Sequence, residues 1–286
     1  MTAILLAMAS ATFLGAGVVV TKYGLRYVHP LSGAAISIPV FTLAFLCAAP
    51  FLLAGETIVW SAVPIFMAVG LIFPALVTLV TFASTRALGP VITASLGNIA
   101  PLFSVLLAVV VLNEPLRLWQ FVGLLVIVAG VLMITITRTR DVATWRTAAL
   151  LLPLAAALLR GVVPPVIKIG LELWPSPLAA ALTGYIFSSL TVVTVERFRN
   201  GHFIVRTSWA GRAWFALNGL FNGVGTLLFY AAIGAGPITV VAPIVATFPM
   251  VTVGLSALAF GRVEAGFQRA AGAALTVTGV VLLLIG

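Results

Sequence analysis

The sequence predicts an all-α membrane protein: ten transmembrane helices forming two inverted five-helix repeats around a central cavity. Three observations carry this. Only 7% of residues are charged against 62% hydrophobic, with a mean hydropathy of +1.25, whereas soluble domains hold about 25% charged residues. Ten apolar runs each approach the ~20 residues needed to cross about 30 Å of hydrocarbon at 1.5 Å per residue. Landmarks of the first half also return, in the same order, in the second.

The runs span Ala3 to Thr21, Leu31 to Leu53, Ser61 to Ala83, Pro90 to Leu112 and Leu118 to Ile136, then Thr147 to Gly170, Pro177 to Val195, Trp214 to Ile233, Pro237 to Phe260 and Gly266 to Ile285. Unpaired backbone is intolerable in lipid, so only helices or a closed barrel can cross it, and continuous apolar runs without alternation mean helices. The longest connection, Glu196 to Ala213, leaves no room for a soluble domain. The first run lacks a basic leader and is followed by Lys22 and Arg26, so it is expected to be a span rather than a cleaved signal. The single cysteine, Cys47, excludes a disulfide within the chain.

A formal charge of +9 can indicate nucleic acid, but here the basic residues are scattered through short loops. The connections after runs 1, 3, 5, 7 and 9 hold Lys22, Arg26, Arg86, Arg138, Arg140, Arg146, Arg197, Arg199, Arg206, Arg212, Arg262 and Arg269. Those after the even runs hold Arg117 and Lys168. Twelve against two places the odd connections in the cytoplasm and both termini outside.

The repeat is visible directly. TKYGL at 21–25 returns as IKIGL at 167–171, and Gly15 falls on Gly161, both at an offset of 146. Gly89-Pro90 returns as Gly236-Pro237, and the pair Gly123 and Gly130 as Gly272 and Gly279. The halves are expected at 1–140 and 141–286. An odd number of helices per half inserts the second half upside down relative to the first.

A Gly-Pro turn opening a helix, a mid-helix proline, a closing Asn-Glu-Pro and then Gly-x6-Gly (GPVITASLGNIAPLFSVLLAVVVLNEP, FVGLLVIVAG) resembles the EamA repeat of the drug/metabolite transporter superfamily. The resemblance covers the chain twice. It implies ten helices around a cavity and export of amino acids or other metabolites, with the bacterial aromatic amino acid exporters as the nearest comparison and the bacterial cytoplasmic membrane as the location. The chain departs from that pattern in three places. The family usually has Trp before the glycine of the first helix, where this chain has Leu14 and Arg160. An Arg early in the second helix is absent from SGAAISIPVF and LAAALTGYIF. The second half offers Arg262 and Glu264 in place of Asn113-Glu114. The family commonly keeps its termini cytoplasmic, opposite to the orientation that the loop charges give.

Within the sixth run, LLRGVVPPVIKIG puts Arg160 near the bilayer centre, where a guanidinium costs at least ~2.5 kcal/mol unless it faces water, a partner or a ligand. All six acidic residues (Glu56, Glu114, Asp141, Glu172, Glu196, Glu264) fall at run ends or in loops. Pro164 and Pro165 remove two backbone donors and free carbonyls one turn earlier. Arg160 therefore either meets a substrate carboxylate in a cavity or staples the bundle through loosened carbonyls. Lys168 and Lys22, near run ends, are expected to snorkel.

In the eighth run Asn218, Asn222, Thr226 and Tyr230 recur at intervals of four, drawing a polar stripe over about 18 Å of helix. Such residues hydrogen-bond a passing solute or glue helices together. Ser95 and Asn98 precede Pro101 in the fourth run, and Thr247 precedes Pro249 in the ninth. These matched prolines, with Pro164 and Pro165, are hinge candidates. Tyr185 joins Tyr230 as an aromatic candidate at the cavity, and Phe73 and Phe82 are weaker ones.

An intramembrane enzyme needs a nucleophile with a base, paired carboxylates or a metal cluster, and His29 and His202 lie in loops. There is no phosphate-binding glycine loop and no Cys/His metal spacing. No catalysis, metal or cofactor is therefore expected. The expected function is alternating-access secondary transport of a small zwitterionic or anionic metabolite, an amino acid first, as exporter or facilitator. The expected partners are that small molecule and the bilayer, with no nucleic acid, and the chain acts as a monomer. The alternatives are a broad exporter of drugs or cationic compounds, and a non-transporting membrane scaffold or channel.

Overall fold

The computed structural model describes residues 1–88, 90–135, 147–260 and 267–285, and among the described residues every regular element is helical. In chain order these are α1 (Thr2–Gly24), α2 (Pro30–Leu52), α3 (Val63–Gly70), a wide turn of helix (Leu71–Leu76), α4 (Val77–Leu88), α5 (Pro90–Gly97), α6 (Ala100–Leu112) and α7 (Leu118–Thr135). They continue as one 3₁₀ turn (Thr147–Leu150), α8 (Leu151–Leu173), α9 (Pro177–Asn200), α10 (Trp209–Ala235), α11 (Ile238–Val245), α12 (Phe248–Phe260) and α13 (Phe267–Ile285). Among the described residues, eight helical runs are long and apolar enough to cross a membrane, and Val63–Phe73 and Ala270–Ile285 are shorter apolar helices. The expected boundary between halves, at 140/141, lies outside the described residues.

Local chemistry sets the helix ends. Pro30 opens α2 behind His29, whose ring accepts the Leu31 N–H. Ser176 and Ser208 cap α9 and α10 by accepting from Ala179 and Gly211. The Ser208 cap starts α10 at Trp209, five residues ahead of the apolar run. At the other end, α9 continues past Val195 to Asn200 and stops where Gly201 adopts φ +76°.

Among the described residues, three of the apolar runs are interrupted. In the third, Phe73 is non-helical (φ −128°, ψ 128°), because a residue preceding proline, here Pro74, is pushed out of the α region. The fourth and ninth break at 98–99 and 246–247, and in both a proline sits in the first turn of the following half-helix: Pro101 in α6 and Pro249 in α12. Pro164 and Pro165, by contrast, lie inside an uninterrupted α8.

Packing relates the two halves. A Cβ built on Gly161 would sit 3.0 Å from the Ala100 carbonyl oxygen, and one on Gly15 3.0 Å from that of Phe248. Thus α8 lies on the start of α6 as α1 lies on the start of α12. Gly70 meets the Gly184 carbonyl as Gly219 meets that of Ser37, so α3 lies on α9 as α10 lies on α2. Lipid supplies no hydrophobic drive between helices, so close backbone approach at small residues holds such pairs. Hydroxyls add bonds between helices: Ser10 Oγ donates to the Gly225 carbonyl at 2.7 Å, and the Thr42 and Ser189 hydroxyls lie 2.7 Å apart.

Candidate functional site

A cavity of about 310 Å³ opens between the broken helices and the long ones. One side is built by Leu14 and Val18 of α1 with Asn222, Thr226, Phe229 and Tyr230 of α10, and α1 packs along α10. On another, α8 contributes Arg160, Val163, Pro164 and Ile167, beside Phe73 of the interrupted third span. The two breaks complete it: Gly97, Asn98, Ala100, Pro101 and Ser104 around the first, Ala242, Val245, Ala246 and Phe248 around the second. Equivalent positions of the halves both line it: Leu14 and Arg160, Val18 and Pro164, and Ala100 and Phe248.

Arg160 is the tenth of the 23 residues of α8, and its guanidinium, partly buried, donates to Thr81 Oγ1 at 3.3 Å. Thr81, on α4, was not singled out in the sequence. A Cβ on Gly97 would come 3.0 Å from Arg160 Nη1, so glycine is what leaves room for the guanidinium at the end of α5. Asn98 Nδ2 donates to Thr135 Oγ1 at 3.0 Å, fixing the first break against α7. Pro101 and Pro249 lack an N–H, which leaves the Gly97 and Val245 carbonyls without a helical donor at the cavity wall.

The polar stripe of α10 divides. Asn218 is buried away from the cavity lining, its amide donating to the Gly17 carbonyl at 2.9 Å and to Thr21 Oγ1, which clips α10 to α1. Asn222, Thr226 and Tyr230 reach the cavity. Four residues turn a helix by 400°, so each step along the stripe advances about 40°; the first step already carries it from the α1 contact to the lining, and the next two keep it there. Tyr185 lies behind the wall, its ring edge-on to Phe41 at 4.8 Å and its hydroxyl 3.5 Å from the Asn222 carbonyl. Ser95 is buried outside the lining.

Among the hinge candidates, Pro101 and Pro164 line the cavity, while Pro165 and Pro249 are not among its lining residues. The Phe82 side chain lies outside the described residues. Ser104, Leu14, Val18, Phe229 and Phe248 were missed as lining residues. The first is one hydroxyl in an apolar helix, and the others have the composition of lipid-facing positions.

Two charges sit at helix ends rather than in the cavity. Lys168 does not simply snorkel: its Nζ donates to the Ile233 and Gly236 carbonyls at 2.8 and 3.0 Å, closing the C-terminus of α10. Glu114 accepts the N–H groups of Ile238 and Thr239 at 2.9 and 3.0 Å, closing the N-terminus of α11. Between them they hold the Gly236-Pro237 turn. A separate pocket of about 370 Å³ lies beside Lys168 and Glu172. Among the described residues no group of three His, Cys, Asp or Glu could hold a metal.

Comparison with known proteins agrees with this architecture. The EamA-like transporter family matches twice, at residues 1–136 and 147–285. A solved crystal structure of a protein with 16% sequence identity superposes with a TM-score of 0.83 over 99% of this chain and 96% of its own, which is a likeness of fold. No curated protein matches the chain. With both halves matched, the chain is an integral, multi-pass membrane protein and belongs to the EamA-like transporter family of the drug/metabolite transporter superfamily.

Proposed function

We propose that the protein is an alternating-access secondary transporter for a small metabolite bearing a carboxylate, an amino acid first, working as an exporter or facilitator in a bacterial cytoplasmic membrane. In this reading the chain crosses the membrane ten times in two inverted halves, with the odd-numbered connections cytoplasmic. The observation that carries the proposal is a mid-helix guanidinium on the wall of a cavity, whose hydrogen-bond partner among the described residues is one neutral hydroxyl.

Arg160 presents a planar fork suited to a carboxylate. The half-helices supply the complement: α5 and α11 end at the cavity with free carbonyls, the negative ends of their dipoles, which can accept an ammonium group. Asn98, Asn222, Thr226 and Tyr230 offer neutral hydrogen bonds, and the remaining wall is apolar, with Phe73, Phe229 and Phe248, suiting an apolar or aromatic body.

The test is a substrate panel in proteoliposomes: labelled leucine, phenylalanine, phenylpyruvate and apolar cations, with saturation and counterflow measured for each. Saturable flux of the carboxylates, lost in Arg160→Ala with expression intact, is the expected result. Equal carboxylate flux in the variant, or transport of the cations alone, overturns the proposal. Flux without saturation identifies a channel, and none at all a scaffold.

A further inference from the structure

Arg160 is the one charged side chain on the cavity wall among the described residues. Its hydrogen-bond partner there is Thr81, a neutral hydroxyl. The described carboxylates are engaged or lie elsewhere. Glu114 caps α11, Glu196 accepts from Ser32 and Asn200, Glu172 borders the separate pocket, and Glu56 is exposed between α2 and α3. Pro164 and Pro165 free the carbonyls of Arg160 and Gly161, yet the guanidinium donates to Thr81 rather than to either of them.

Arginine does not surrender its proton inside a protein. A transporter built on Asp, Glu, His or Lys can neutralise its empty site by titration; this site cannot. While the cavity is open to one aqueous phase, water solvates the guanidinium. Occlusion strips that water, and an unpaired arginine at the hydrocarbon centre is disfavoured by roughly a hundredfold. A bound carboxylate restores a charge-assisted, forked pair and removes most of that penalty. The loaded cavity therefore closes readily, and the empty one does not.

We infer that the transporter is an obligatory exchanger, in which Arg160 makes closure of the cavity conditional on a bound carboxylate, so that each molecule carried one way is answered by another carried back. This rests on the carboxylate reading above and narrows its transport cycle to export coupled to uptake of a second carboxylate, excluding net facilitated flux.

The experiment loads proteoliposomes with labelled leucine, phenylalanine or phenylpyruvate. Efflux is measured into plain buffer, into the same unlabelled compound, and into its methyl ester, which lacks the carboxylate. Efflux at least tenfold faster into the carboxylate than into buffer or ester is expected. Saturable efflux at the same rate into all three overturns exchange while leaving carboxylate transport standing; no saturable flux of any probe overturns both.

A second measurement does not need turnover. In a Cys47→Ser background, Ser104→Cys places a thiol on the cavity wall for alkylation by a membrane-impermeant maleimide. With Arg160 present, the transported probe should slow alkylation at least tenfold, and in Arg160→Gln the reaction should be slow without it. If alkylation is equally fast in the empty and loaded protein and unchanged by Arg160→Gln, occlusion is not gated by the guanidinium and the inference fails.

Discussion

Gly123 of α7 and Gly279 of α13 face each other backbone to backbone: a Cβ on Gly123 would lie 2.7 Å from the Gly279 carbonyl oxygen, and one on Gly279 2.9 Å from that of Gly123. Gly130 and Gly272 repeat the arrangement two turns along, so the two helices run antiparallel in close contact. Gly123→Val must therefore push main chain rather than a flexible side chain, and a loss of about 1–3 kcal/mol is expected, the usual range for overpacking. Gly254→Ala is the control, since a Cβ there meets nothing within 4 Å. Thermal unfolding of purified protein should show a lowered midpoint for the first and none for the second; equal midpoints would refute the close contact.

Glu114 acts on a helix that begins 124 residues later in the chain, with one oxygen each for the Ile238 and Thr239 N–H groups. Glu114→Gln keeps one acceptor but turns an NH₂ toward the second donor. It should cost about 1–2 kcal/mol, as loss of a charged N-cap does, and Glu114→Ala at least as much. Stability of the Gln variant equal to the parent would show that the carboxylate does not hold the turn.

These examples mark what the sequence reveals and what it hides. The spans were legible because lipid forces long apolar runs, and the breaks at 98–99 and 246–247 were foreshadowed by Pro101 and Pro249. The break at Phe73 was equally written in Pro74 and went unread, since nothing matches it in the uninterrupted α10. Arg160 stood out because its charge contrasts with its surroundings. Leu14, Val18 and Phe248 did not, because apolar cavity walls and lipid-facing positions share one composition. Asn218 and Asn222 share a stripe, but only the packing of α1 against α10 separates a helix clip from a lining residue. Asn-Glu-Pro was recognisable as a motif while its physical role depended on where the α11 N-terminus lies.

Glu196 is a buried carboxylate at 2% exposure that places both its donors, Ser32 Oγ and Asn200 Nδ2, on one oxygen, at 2.8 and 2.7 Å. The other oxygen has no hydrogen-bond partner among the described residues. Glu196→Gln retains an acceptor for the pair that ties α2 to α9 and removes a poorly compensated charge, so its stability should equal or exceed the parent's. Glu196→Ala strands two donors and should lose about 1–3 kcal/mol. Thermal unfolding of both variants decides it, and a Gln variant as damaged as the Ala variant would show that the charge itself stabilises the helix pair.

Gly97 ends α5 where Arg160 enters the cavity, and among the described residues the one atom near its missing Cβ is Arg160 Nη1, at 3.0 Å. A methyl group there meets the far end of a flexible side chain, so Gly97→Ala should fold and express normally, with the guanidinium displaced by a few tenths of an ångström. A forked hydrogen-bond pair depends on position and angle together. The expected effect is therefore a rise in KM for carboxylate probes of about threefold to tenfold, with the same thermal midpoint and no change in the inhibition constant of a competitor that does not use the fork, such as a methyl ester. A matching rise in the acid's KM and the ester's inhibition constant would mean that the methyl group narrows the cavity instead of turning Arg160. Both values unchanged would place the carboxylate away from this guanidinium altogether.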